Sequence, residues 1–271
     1  MKKFMCILMV LAMMLSAMTV AVAEEEKDLL ARIQERGTII VATEGTWAPW
    51  TYHNEEDVLV GFDVEVAQKI AEKLGVIVDF EEVAWDGIFA GLDSERYDIA
   101  ANGVEVTEDR AAKYDMSAPY GFIRTAIIVR GDNDSITCFE DLAGKTTANT
   151  LASTYALLAE EYGASPMGVD DLNQTIELLL AGRVDATLNA EVSFNDFLKV
   201  HPDANIKMAA VSEDASLVVI PMRKGDDTAT LRAAIDQAIA ELREEGVLAE
   251  LSIKYFGLDI TAPNAEAEAA E

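Results

Sequence analysis

Between Asn102 and Arg110 the chain reads NGVEVTEDR, which sets one arginine five residues after Glu105 and two after Glu108. An arginine in the first turn of a helix offers a planar, permanently charged fork that a carboxylate fits with two parallel hydrogen bonds. Free backbone N–H groups at a helix start favour the same anion. The other use of Arg110 is a surface pair with Glu108 or a neighbouring acid, and spacing alone does not separate the two. Trp47 and Trp85 each fall in a strand-to-helix connection instead of a periodic apolar stripe, a placement that suits either a ligand wall or a cap on the core. Motifs for nucleophilic or phosphate chemistry are absent: there is no G-x-S-x-G, no G-x-G-x-x-G and no P-loop. His53 in HNEED and His201 in VHPD are the only histidines and read as loop residues, and Cys138 has no C-x-x-C partner. No metal, no cofactor and no catalytic residue are expected.

Composition narrows the partners. The 271 residues hold 49 acidic against 21 basic side chains, a net charge of -28, which opposes nucleic acids and anionic membrane surfaces. At 51% hydrophobic the chain is far from the disordered regime. Lys2 and Lys3 precede an uncharged run that ends in Ala21-Val22-Ala23 and is followed at once by three glutamates, the pattern of a cleaved signal peptide over residues 1–23. Its removal leaves 19 basic and 49 acidic side chains, net -30, and one cysteine, so no internal disulfide forms.

Positioning these residues requires strands that alternate with helices. Thr38 to Thr43 (TIIVAT) reads as a buried strand. Gly61 to Leu74 follows as an amphipathic helix with Val66, Ile70 and Leu74 on one stripe and Asp63, Glu65 and Lys69 off it. Strands at Val76–Phe80, Asp98–Asn102 and Phe122–Arg130 and helices at Trp85–Leu92 and Thr107–Tyr114 complete a first lobe. GDNDS at 131–135 breaks the pattern. A second set of units follows: strands Lys145–Asn149 and Asp185–Asn189, helices Ser153–Tyr162, Leu172–Ala181 and Val192–Val200, and strand-like Leu217–Ile220. After Pro221 only helices are expected, Thr228–Glu244 and Val247–Tyr255, packing back on the first lobe. The organisation is therefore α/β with two lobes: residues 24–129 and 221–258 form lobe 1, residues 130–220 form lobe 2, and 259–271 is an acidic tail without apolar periodicity. In open α/β sheets ligands sit beyond the carboxyl ends of strands, which is where NGVEVTEDR begins.

Several stretches, in order, resemble one family. They are GTWAPWTYHNEEDVLVGFDVEVAQKIAEKLG, WDGIFAGLDSERYDIAANGVEVTEDRAAKYDMSAPY, LLLAGRVDATLN and EEGVLAELSIKYFG. Together, over about residues 37 to 257, they look like the extracytoplasmic solute-binding proteins of polar amino-acid ABC transporters (bacterial solute-binding protein family 3). TEGTWAP and DATLN are most similar to the branch that takes cystine or other small polar amino acids. The resemblance implies a periplasmic-binding-protein-like (type II) fold in which two hinge strands join the lobes, and a non-catalytic function. The protein would be secreted, to a periplasm or an extracytoplasmic surface, and would act as a monomer that hands its ligand to a membrane permease. A cyclohexadienyl-type dehydratase on the same fold is the competing reading.

Carried over by position, the resemblance makes Arg110 the clamp for the ligand's α-carboxylate, helped by Ser153 and Thr154 at a lobe-2 helix start. Trp47 and Trp85 would flank the side chain and Gly103 would offer its carbonyl to the α-ammonium. Glu44, Thr150 and Tyr155 would read the side chain, and Asn102 and Asn189 complete the ligand-facing set. One departure stands out: where many relatives hold the ammonium with a lobe-2 aspartate, this chain has Ala190. Glu105 alternates with the apolar Val104 and Val106 and is expected to point into the cleft and take over that countercharge, with Glu191 as its rival and a solvated Glu105 as the plain alternative.

Overall fold

The computed structural model describes residues 27–262. The expected signal peptide and the end of the acidic tail lie outside the described residues. Helix α1 (Leu29–Arg36) starts on the Asp28 side chain, which accepts the Ala31 N–H, and stops at Gly37 in the left-handed conformation. Next come β1 (Thr38–Thr43) and a small antiparallel sheet of β2 (Thr46–Trp47), β3 (Thr51–His53) and β4 (Leu59–Val60). Helix α2 (Phe62–Leu74), β5 (Ile77–Glu82), α3 (Trp85–Asp93), β6 (Ile99–Ala100), α4 (Glu108–Lys113) and β7 (Tyr114–Met116) follow. Strand β1 lies between β5 and β6 in a parallel three-stranded sheet. Because successive residues of a strand face opposite sides, Ile39 and Val41 pack with Phe62, Val66 and Ile70 of α2, while Ile40 and Ala42 pack with Trp85, Ile88 and Leu92 of α3.

The chain then crosses through β8 (Gly121–Ile123) into β9 (Thr125–Arg130). Lobe 2 holds β10 (Thr146–Asn149), α5 (Thr154–Glu161), β11 (Ser165–Gly168), α6 (Leu172–Leu180), β12 (Ala186–Ala190), α7 (Glu191–Val200) and β13 (Ile206–Val211). Its five-stranded sheet runs β11-β10-β12-β9-β13, with β9 antiparallel to both neighbours. Alternation sorts this core too, with Ala126 and Ile128 facing Ile176, Leu179 and Phe194, and Ile127 and Val129 on the opposite side. The return crossing, β14 (Ser216–Val218), pairs antiparallel with β8, and β15 (Pro221–Arg223) pairs with β7 in lobe 1. Helices α8 (Ala229–Glu244) and α9 (Val247–Phe256) pack back on lobe 1 through Leu231, Ile235, Leu248 and Phe256. The fold is thus two α/β lobes joined by a pair of crossing strands.

Four expectations change. The apolar run Phe122–Arg130 is two strands in different sheets with a break at Arg124, so we place the first crossing at residues 121–124 and not near 130. A uniform β-type sequence hides a change of sheet, because both pieces satisfy the same pattern. Pro221 opens a strand of lobe 1, so helices are not all that follows it. Asp63, set off the apolar stripe by periodicity, is fully buried. The tail begins later than residue 259: Ile260 is buried in the core and its carbonyl accepts the Phe122 N–H at 2.7 Å. An isolated isoleucine after a helix carries no periodic signal.

Since Ile260 pins the final segment to the crossing strand, Ile260→Ala should cost about 2–4 kcal/mol and lower Tm by roughly 5–10 °C in a calorimetric melt. An unchanged Tm would show that the segment contributes nothing to the core.

Candidate functional site

The cleft between the lobes holds a cavity with about 50 Å³ of space for water-sized molecules. Lobe 1 supplies the residues that follow strand ends: Glu44, Thr46 and Trp47 after β1, Trp85 at the start of α3, and Asn102, Gly103 and Glu105 after β6. Lobe 2 supplies Asn149 at the end of β10, Thr150, Ser153, Thr154 and Tyr155 after it, Asp171, Leu172 and Thr175 at the start of α6, and Asn189 on β12. Eleven of the twelve residues singled out from sequence line this cavity.

Arg110 is the twelfth and does not. The Thr107 hydroxyl caps its helix by accepting the Arg110 N–H at 3.1 Å, and its guanidinium lies 5.1 Å from the ring centres of both Trp85 and Phe89. Nη1 donates to the Glu105 carbonyl at 2.9 Å and Nη2 to the Ala152 carbonyl of lobe 2 at 3.2 Å. Both bonds go to backbone carbonyls, which leaves the guanidinium without an acidic partner among the described residues. Ala152 presents that carbonyl from a left-handed conformation, φ 59°, which strains a residue with a Cβ. Burial pushes the Arg110 pKa down and the Glu105 charge opposes that shift.

Glu105 is buried and its backbone bridges Val218 on the return crossing. Its Oε1 accepts from the Thr154 hydroxyl at 2.5 Å, across the cleft. The carboxylate therefore lies at the lobe-2 helix start, the end assigned by resemblance to the ligand's α-carboxylate. The rival Glu191 is drawn away from the cavity by Arg124, at 2.9 Å, and Ala190 is buried without a side-chain polar group.

Asn102 organises the neighbouring acid. Its carbonyl oxygen accepts from the Glu44 N–H at 2.8 Å and its amide donates to Glu44 Oε2 at 2.6 Å. Burial nevertheless pushes the Glu44 pKa up to about 7, against the Asn102 amide and the Trp85 backbone, with Asp171 and Asp86 adding repulsion. Trp47 stacks on Trp50, ring centres 5.3 Å apart. Among the described residues, three cavity-lining polar atoms are buried without a hydrogen-bond partner: Trp47 Nε1, Asn149 Oδ1 and the Tyr155 hydroxyl. Such orphans are rare in folded proteins unless something else satisfies them. Burial and then the nearby Glu105 charge push the Tyr155 pKa well up.

Asn149, Thr46, Asp171, Leu172 and Thr175 were not singled out from sequence. Asn149 ends a strand directly before Thr150, so the rule that ligands gather at strand carboxyl ends could have found it. Asp171 caps α6 by accepting the Gln174 N–H at 3.0 Å, and Leu172 and Thr175 follow it, so the helix start was the available signal.

The family model for bacterial extracellular solute-binding proteins, family 3, matches residues 39–258. The chain belongs to that family. A probable amino-acid ABC transporter-binding protein of Haemophilus influenzae is 36% identical over 250 residues, covering 92% of this chain and 96% of the relative. An ancestral arginine-binding protein bound to arginine is 34% identical with a TM-score of 0.77, over 82% of this chain and 99% of that one. The unliganded, open L-cystine solute receptor of Neisseria gonorrhoeae is 38% identical but superposes at only 0.59, over 86% and 98%. The arginine-bound structure superposes better despite its lower identity. Hydrogen bonds hold the lobes together across the cleft: besides Glu105–Thr154 and Arg110–Ala152, the buried Trp50 indole donates to the Ser193 hydroxyl at 3.1 Å.

A carboxyl held near pKa 7 in the fold and near 4.5 in the unfolded chain adds stability below 4.5, loses it as pH rises towards 7, and is a net cost above. Glu44→Gln should therefore raise the ligand-free Tm by about 2 °C or more at pH 8 and leave it unchanged at pH 4. Equal shifts at both pH values would show that the Glu44 charge is not what matters.

Proposed function

We propose that this protein captures one amino acid in the interlobe cleft and delivers it to the membrane permease of an ABC transporter. The observation that carries the reading is the cavity's chemistry. A cation behind one wall, carboxylates on the others and three unsatisfied polar atoms suit a small molecule that brings both charges and several donors and acceptors.

In this reading the α-carboxylate lies against the Arg110 fork and the Ser153 and Thr154 hydroxyls, taking over the donors now spent on Ala152 and Glu105. Displaced from Thr154, Glu105 turns to the ammonium, joined by the Gly103 carbonyl. Glu44, Asn102, Thr150, Tyr155 and Asn189 read the ligand's side chain between Trp47 and Trp85. Cystine or another small polar amino acid is the ligand we favour, since the Neisseria receptor of comparable sequence is named for cystine. Closure follows from hinge motion at the paired strands β8 and β14, and the closed form is what the permease recognises. The protein works as a non-catalytic monomer outside the cytoplasmic membrane, and its negative charge keeps it from nucleic acids. Among the described residues no helix is long and apolar enough to cross a membrane.

A thermal-shift screen against the twenty amino acids and cystine should reveal at least one that raises Tm, because binding to the native state stabilises by mass action. Arg110→Gln should abolish that shift. If no amino acid moves the wild-type Tm, capture of a free amino acid is ruled out. For Glu105→Gln, titration calorimetry with the best ligand should show at least tenfold weaker binding, about 1.4 kcal/mol. Tighter binding would instead make Glu105 a competitor for the anion end.

A further inference from the structure

Asp63, in the first turn of α2, has no exposed surface. Its Oδ2 accepts the Gly103 N–H and its Oδ1 accepts the Tyr120 hydroxyl at 2.9 Å. Among the described residues no cation pairs with it, and burial pushes its pKa up to about 7. A buried ionised carboxylate without a cation is costly. Holding one N–H and one hydroxyl in place does not require it, since an asparagine oxygen and amide would serve both.

What lies on the far side of Gly103 gives the charge a use. Gly103 lines the ligand cavity with φ 56°, and a Cβ there would sit 2.6 Å from the Trp47 ring. The Asp63 carboxylate is thus hydrogen-bonded directly to a residue of the cavity wall. In such a poorly screened setting a charge is felt across several ångströms. The second partner, Tyr120, donates its N–H to Val218 and leads directly into the crossing strand β8, so the same carboxylate ties the cavity wall to the hinge.

We propose that Asp63 is a positioning residue for the ligand's cationic end: from behind Gly103 its carboxylate fixes the cavity wall and supplies negative charge to an ammonium it never touches. This rests on the amino-acid reading above. The Tyr120 phenol is the titratable group facing Asp63 from the elements packed on it, and Glu44 and Glu105 face the same cavity from the other side. Since Glu44 also titrates near pH 7, the informative quantity is the ratio of wild-type to variant affinity at each pH.

The test is titration calorimetry of wild type, Asp63→Asn and Tyr120→Phe with the amino acid that gives the largest thermal shift. At pH 8.5 Asp63→Asn should bind roughly tenfold more weakly. At pH 5.5, where the wild-type carboxyl is protonated, the difference should shrink below about twofold. Tyr120→Phe keeps the charge but removes a donor, so the pH at which affinity falls off should move upward, and this variant decides the matter if Asp63→Asn does not fold. An equal loss at both pH values, no loss at pH 8.5, or an unmoved midpoint in Tyr120→Phe would overturn the role of Asp63 while leaving amino-acid capture intact. A wild type that binds no amino acid would overturn both.

Discussion

Charge balance inside the cleft is the constraint on which the rest depends. One arginine stands behind the cavity while Glu105 and Glu44 line it and Asp63 accepts a hydrogen bond from Gly103 of its wall. Each is wholly or largely removed from water, and among the described residues each acid is held by neutral donors and forms no ion pair: Thr154 for Glu105, Asn102 for Glu44, Gly103 and Tyr120 for Asp63. A folded protein does not keep such an arrangement for its own stability. It does so when a partner supplies what is missing, and a zwitterion supplies both signs at once.

The scaffold serves that imbalance. One parallel and one mixed sheet deliver their strand ends to a common gap, so the loops after β1, β6 and β10 meet there without any one of them having to reach far. Glu105 sits on the loop that bridges Val218, and Tyr120 hands the Asp63 contact to β8, so both acids are mechanically joined to the crossing strands. Neutralising charge in the cleft and holding the lobes together thereby become one event. Trp50, buried against Trp47 and donating to Ser193, extends that seam away from the ligand.

Much of this was legible in the chain. TIIVAT announces a buried strand and Thr107 with its acidic neighbours announces a helix start beside Arg110, while the tryptophans in connections leave a ligand wall and a core cap equally open. Other features depend on folding partners that no local pattern encodes. The change of sheet at Arg124 is silent because both strands are equally apolar, and β13 (IKMAAV) is half-buried with no strict alternation. Asp63 reads as the polar side of an amphipathic helix until the Tyr120 and Gly103 segments fold over it. Glu105 was expected in the cleft and lines the cavity, whereas Arg110 stands behind it, and the partners they take are the carbonyl of Ala152 and the hydroxyl of Thr154, forty or more positions away.

The most direct measurement is calorimetric titration of the amino acid at pH 7 in two buffers of different ionisation enthalpy, which counts protons exchanged on binding. Glu44 and Asp63 are both held near pKa 7. An ammonium arriving beside them lowers both values, so net proton release is expected. Binding with no proton exchange, or with uptake, would contradict the meeting of a ligand cation with these buried carboxylates.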